Sequence, residues 1–138
     1  MLLPVFLLSI SVYSVYASEE KTSQSQACEI NQGPCLRKIG GASVIFDIEP
    51  KPVKANRELA FTVTLRGVKE YDSLRLKLQM PGMYMGNNVV KLVRSGEGIY
   101  TGKGVAPKCG SGKKLWSASV ELPGLILPET SFLFNVLY

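Results

Sequence analysis

From Ala42 onward, apolar side chains recur at every second residue in short sets, and this period of two constrains the chain more than any other feature. The sets are Val44, Phe46 and Ile48; Leu59, Phe61, Val63 and Leu65; and Leu74, Leu76, Leu78 and Met80. They continue with Val90 and Leu92, the stretch Ile99 to Val105, then Trp116, Ala118, Val120 and Leu122, and finally Phe132, Phe134, Val136 and Tyr138. Successive side chains of a strand point to opposite faces, so each set lines one buried face of a half-buried strand. Pro50, Pro52, Gly67, Pro81-Gly82, Gly96, Gly98, the stretch from Pro107 to Gly112, Pro123-Gly124 and Pro128 break the sets apart. No stretch carries a helical period. The pattern predicts an all-β domain of about seven short antiparallel strands, with Trp116 in the core. Packing two sheets face to face is the usual way to bury such faces, which makes an immunoglobulin-like β-sandwich the expected architecture.

The first residues do not share this pattern. Leu2 to Tyr16 is nearly all apolar, and after Ala17 the chain turns polar at once with Ser18, Glu19, Glu20 and Lys21. Val15 and Ala17 occupy the two small-residue positions of a signal-peptidase site. The expectation is a signal peptide over 1–17, a polar tether and cysteine-containing entry segment over 18–41, and the sandwich over 42–138. That implies export to the periplasm. The alternative is an uncleaved N-terminal anchor, although the apolar stretch falls short of the roughly 20 residues that span a bilayer.

The 138 residues suffice for one domain, and with 46% hydrophobic and 20% charged residues the chain can build a core and is not of disordered type. It has no histidine. That excludes Ser-His-Asp and Cys-His catalysis and histidine-based zinc sites within the chain. No pair of Lys, Tyr, Asp or Glu is placed by sequence in a catalytic arrangement, so a non-enzymatic protein is expected. A Gly-Ser-Gly-Lys stretch at 110–113 fails the phosphate-loop spacing, because Pro107 stands where the first glycine belongs and Lys114 where Ser or Thr belongs. The net charge of +5 is spread as Lys51 and Lys54, Arg75 and Lys77, Lys113 and Lys114. In sequence this reads as a solvated surface with no nucleic-acid-binding arm.

Two groups of soft atoms stand out. The cysteines are Cys28, Cys35 and Cys109, and an oxidising compartment would pair two of them. The expected pair is Cys35–Cys109, which would pin the entry segment to the loop before Trp116, with Cys28–Cys35 as the alternative. Three of the four methionines fall at Met80, Met83 and Met85, in what reads as a loop at one pole of the sandwich, running to Asn88. Methionine is not needed to make a turn. Thioethers are neutral soft ligands that suit Cu(I) and serve zinc poorly. The bland alternative is that Met80 and a second methionine fill gaps in the core.

Several short motifs carry a resemblance. These are Gly33-Pro34-Cys35, the stretch Phe46 to Val53, Met80-Pro81-Gly82-Met83-x-Met85-Gly86-x-Asn88, Tyr100-x-Gly102-x-Gly104, and Cys109-x-Ser111-Gly112 with Trp116. In order and spacing they resemble the bacterial YtkA-like family over roughly residues 28–138. The resemblance implies a small periplasmic or lipid-anchored β-sandwich and, for some members, a tie to copper handling or respiratory oxidase assembly. It carries that suggestion only to Met80, Met83, Met85 and the cysteines.

Two functional readings follow. The first is an exported copper carrier or oxidase assembly factor. Its Cu(I) ligands would be Met83 and Met85, completed by Met80 or Cys109, and it would have a protein partner in the periplasm or inner membrane. The second is a metal-free interaction module that uses the methionine loop as a docking patch. Neither involves nucleic acid or a small-molecule substrate.

Overall fold

The computed structural model describes residues 28–124 and 129–138; the expected signal peptide and residues 18–27 of the expected 18–41 segment lie outside them. The described chain is all-β, with β1 (Cys35–Ile39), β2 (Ala42–Glu49), β3 (Glu58–Arg66), β4 (Ser73–Met80), β5 (Met83–Gly96), β6 (Ile99–Val105), β7 (Leu115–Glu121) and β8 (Glu129–Asn135). All strand pairings are antiparallel and run in one continuous order, β1-β2-β3-β6-β5-β4-β7-β8. The result is a nearly closed, barrel-like sheet rather than a clear two-sheet sandwich.

The expected alternation is present in most strands, while in β6 only Tyr100 is fully buried and Ile99 and Val105 are exposed. Val44, Phe46 and Ile48, then Leu59, Phe61 and Val63, then Leu74, Leu76 and Leu78 all face inward and are buried. Trp116 is fully buried, as expected. Phe46 stacks on Phe132 with ring centroids 5.0 Å apart, so β2 packs across the interior onto β8. Burying each such ring or aliphatic chain is worth about 1.5–3 kcal/mol, and this stabilisation sets the inward face of every strand.

The strand count differs from the expectation by one. Cys35–Ile39, expected as entry segment, is β1, paired with β2 from Cys35 opposite Phe46 to Ile39 opposite Ala42. Only Cys35 in it is fully buried, and Leu36, Arg37 and Lys38 are exposed. An edge strand with charged residues outward hides its period, because little of it touches the core. The Arg37 guanidinium lies 5.3 Å from the Phe132 ring, so a side chain spans the unpaired gap between β1 and β8. Asn31 closes the same seam: its amide donates to the Asn135 carbonyl at 3.1 Å, and its oxygen accepts from the Val53 N–H at 2.7 Å.

The sheet stays continuous because β5 pairs with both neighbours. It runs alongside β4 and meets β6 only from Val93 to Gly96. Beyond that point β5 folds over β6. A Cβ on Gly102 would lie 2.4 Å from the Lys91 carbonyl oxygen, and one on Gly104 would lie 2.6 Å from a Val90 methyl. The Tyr100-x-Gly102-x-Gly104 motif therefore has a packing role: only glycine lets Val90 and Lys91 approach this closely.

Candidate soft-atom site

Eight antiparallel strands put alternate connections at opposite poles. The β4–β5 hairpin and the β6–β7 loop share one pole, and together they build the site. The methionine stretch is not a loop, as the sequence suggested. The turn is Pro81-Gly82 alone, Met80 pairs with Met83 across it, and Met83 already opens β5. Proline presets the first turn residue, and Gly82 takes a φ of 74°, open to glycine at little cost. The ladder then jumps from Met80–Met83 to Leu78–Asn88, so the four residues 84–87 of β5 oppose Gln79 alone. A wide bulge of this kind re-aims side chains. Asn88 ties it down by donating from its amide to the Met85 carbonyl at 2.8 Å.

At the start of β5 the alternation runs from Met83 to Gly86 and breaks at Asn87. Met83 and Met85 are half-buried and packed against the core, while Tyr84 between them points outward at 84% exposure. The two methionines thus share one side of the strand, as a period of two requires. Met80 is buried at 3% exposure and belongs to the core. The tip borders an open pocket of about 440 Å³ that also reaches Gln79 and Ser117.

Cys109 comes from the opposite side. The Gly112 N–H donates to the Cys109 carbonyl at 3.0 Å, closing a tight turn that folds Ser111 back over the cysteine. The Ser111 hydroxyl sits 3.0 Å from the Cys109 sulfur, and the Cys109 thiol donates to the Met83 thioether at 3.1 Å. Ser111 lies 4.0 Å from the same thioether. Hydrogen bonding from the Ser111 hydroxyl, then from its backbone, holds the thiol below its ordinary pKa, aided by the Lys113 backbone and charge and opposed by burial. Beneath the loop the Tyr138 hydroxyl donates to the Lys113 carbonyl, and Lys108 and Lys114 lie over the Tyr138 ring at 4.8 and 5.4 Å.

The expected Cys35–Cys109 disulfide is not formed. Cys28 bonds Cys35, with Cα atoms 5.8 Å apart, and Cys109 is free and buried. The reason is local: the Gln32 N–H donates to the Glu29 carbonyl at 2.9 Å, and this turn brings Cys28 back beside the start of β1. Cys109 is therefore not consumed by a disulfide. A free thiol stands directly against Met83.

Among the described residues, no group of three or more His, Cys, Asp or Glu could hold a metal ion, so a metal at this pole would rest on Cys109 and the methionines. Ser111 was visible in sequence only as part of a motif; its role depends on the turn that folds it back. The other tight polar cluster is structural. Lys51 reaches Asp47 at 2.5 Å, the Ile48 carbonyl at 2.7 Å and Glu49 at 3.3 Å. Burial opposes its charge, but the two carboxylates outweigh burial and hold the ammonium above its ordinary pKa.

Against known proteins, the chain matches no family model, no curated protein and no solved structure.

Proposed function

We propose that this is an exported, non-enzymatic carrier of Cu(I), a periplasmic copper-handling or oxidase assembly factor of the YtkA-like kind. The observation that carries the reading is the 3.1 Å approach of the Cys109 sulfur to the Met83 thioether, with Met85 on the same side of β5. Cys109 would supply a soft anionic donor, since its thiol is held below its ordinary pKa, and Met83 and Met85 would supply neutral ones. Met80, buried in the core, serves as a supporting member. In this reading the sandwich of the family corresponds to two halves, β1-β2-β3-β6 and β5-β4-β7-β8, joined where β6 meets the end of β5.

The donors fit a soft ion with one adjustment. Metal–sulfur bonds of about 2.3 Å set two sulfurs sharing an ion roughly 3.7–4.6 Å apart, so Cys109 and Met83 must part by up to about 1.5 Å. Methionine, unbranched with three rotatable bonds, yields at small cost. A site that must open to bind suits a carrier that releases its cargo.

Replacing Met83 and Met85 with leucine keeps apolar volume and removes the thioethers, at a cost under about 1.5 kcal/mol each. Competition titration of Cu(I) in the parent, M83L/M85L and C109S is the test. The proposal expects a folded double variant with Cu(I) affinity at least about tenfold lower, equivalent to roughly 1.4 kcal/mol. Equal affinity in parent and variants removes it. The metal-free docking reading is then favoured, and for that reading the 84% exposure of Tyr84 is the supporting observation.

A further inference from the structure

The cationic residues that look scattered in sequence are sorted by the topology. The connections at the soft-atom pole are residues 28–34, 50–57, 81–82, 106–114 and 136–138. They carry six cationic side chains, Lys51, Lys54, Arg57, Lys108, Lys113 and Lys114, against the carboxylate side chain of Glu29; the carboxylates at the bordering strand ends are already engaged, Asp47 and Glu49 with Lys51 and Glu58 with Lys103. Only Lys51 of the six forms an ion pair among the described residues. The described connections of the other pole, 40–41, 67–72, 97–98 and 122–124, carry Lys69 against Glu70, Asp72 and Glu97.

The five unpaired cations are all exposed. They are also held in place. The Lys108 N–H donates to the Asn56 side chain at 2.9 Å and the Asn56 N–H to the Ala106 carbonyl at 2.9 Å, so the loops bearing Arg57 and Lys108 are tied together. Lys108 and Lys114 rest on the ring of Tyr138. Tyr84 projects from the same pole, and exposed tyrosine is a common anchor in protein interfaces.

We infer that this pole is the docking face for a protein with an acidic surface, which takes or delivers the soft ion at Cys109 and Met83. The inference rests on the Cu(I) reading for the purpose of the contact, and on charge complementarity for the kind of partner. Clustered charge of one sign raises the rate of encounter with an oppositely charged partner and sets its orientation, with the acidic pole turned away. Exchange of a soft ion needs a soft donor from the other side. A protein can offer one and a lipid headgroup cannot, which favours protein over membrane.

The test uses the full chain, metal-free, and a synthetic peptide of Glu and Ala with two methionines, beside a sibling with Gln in place of Glu. Amide chemical shifts report where each peptide binds. The acidic peptide alone is expected to bind, moving amides of 106–114, 54–57 and 83–86, with affinity falling at least about tenfold between roughly 0.05 and 0.5 M salt. K108E/K113E/K114E is expected to lose at least about tenfold in affinity while keeping the parent's spectrum elsewhere, and K69E at the other pole is expected to lose nothing. Equal binding of both peptides, or of the triple variant and the parent, overturns the inference. So does binding to vesicles of anionic phosphatidylglycerol without binding to the acidic peptide. Because this arm contains no metal, it separates the two ideas. Acidic binding at the pole together with unchanged Cu(I) affinity in M83L/M85L retires the copper reading alone. Lost Cu(I) affinity with no preference for the acidic peptide retires the docking face alone.

Discussion

The two poles of the barrel are held together by different chemistry. At the acidic pole, polar groups find one another. Arg94 pairs with Glu70, whose other oxygen accepts from the Gly98 N–H at 3.0 Å. The Tyr71 N–H donates to the buried Tyr100 hydroxyl at 2.8 Å, and the Tyr71 hydroxyl donates to the Pro123 carbonyl at 2.6 Å. At the other pole Lys51 pairs with Asp47 and Glu49, but the side chains that meet at the site are soft, Cys109 and Met83, and five cations of that pole form no ion pair among the described residues. The first end ties its connections together through Glu70, Arg94, Tyr71 and Tyr100. The other keeps a thiol, thioethers and cations without strong partners, and groups so placed remain free to engage something outside the chain.

Strand β5 links the poles, running from Met83 at one to Gly96 at the other, and the largest effect comes from disturbing its path. Gly102→Val would set a Cβ 2.4 Å from the Lys91 carbonyl. Overpacking against backbone costs typically 1–3 kcal/mol, and at this contact we expect about 3 kcal/mol by urea unfolding, with both poles loosened in hydrogen exchange. A loss confined to one pole would show that β5 does not couple them.

The Cys28–Cys35 bond belongs to the soft-atom pole alone. It spans a separation of 7 residues, and in the chain-entropy model a loop that short contributes about 2 kcal/mol. Cys35→Ser is expected to lower stability by about that amount and to speed exchange of amides around Asn31 and Val53, leaving the Glu70–Arg94 end protected. Equal deprotection of both ends would contradict the separation of the poles.

Tyr100→Phe probes the acidic pole in turn. It leaves the Tyr71 N–H without its acceptor, and an unsatisfied, partly buried donor costs about 1–2 kcal/mol. The thermal midpoint should fall while Cu(I) affinity stays unchanged. A change in that affinity would mean the polar end also shapes the soft site.

The smallest effect is electrostatic. The Cys109 pKa is lower folded than unfolded, so the thiolate is the form that folding favours. That stabilisation is present above the unfolded thiol pKa of about 8.5 and is lost as pH falls through the folded value. Stability of the parent relative to C109S should therefore rise as pH rises through the folded value towards the unfolded thiol pKa, and level off above it. Thiolate absorbance should titrate at higher pH in S111A than in the parent. An unmoved midpoint would remove Ser111 as the cause.

The site was only partly legible in the sequence. The spacing of Met83 and Met85 suggested one shared side of the chain, and both are half-buried with Tyr84 exposed between them. The wide bulge at 84–87 did not show, because nothing local says that four residues will face Gln79 alone. The expected Cys35–Cys109 pairing rested on pinning the entry segment to the loop before Trp116, and the structure does not form it. What decides a disulfide is which Cα atoms the turns bring together, and the Glu29–Gln32 turn does so for Cys28 and Cys35.

What the sequence by itself determined is the all-β character, the inward residues of most strands and the burial of Trp116. These follow from a period of two, a local property enforced by burial of one face. In β6, by contrast, the apolar Ile99 and Val105 face outward around a buried Tyr100, and Tyr138 is exposed. The tertiary structure alone decided the remainder. β1 exists because β2 offers it a ladder of backbone partners, although its side chains carry little pattern. The sheet rolls into one piece because Gly102 and Gly104 let β5 cross β6. Cys109 meets Met83, and five cations without an ion pair among the described residues share that pole, because antiparallel strands carry connections distant in sequence to the same end. Contacts between residues so far apart are set by strand order and register, which depend on the whole core at once and on no single stretch of chain.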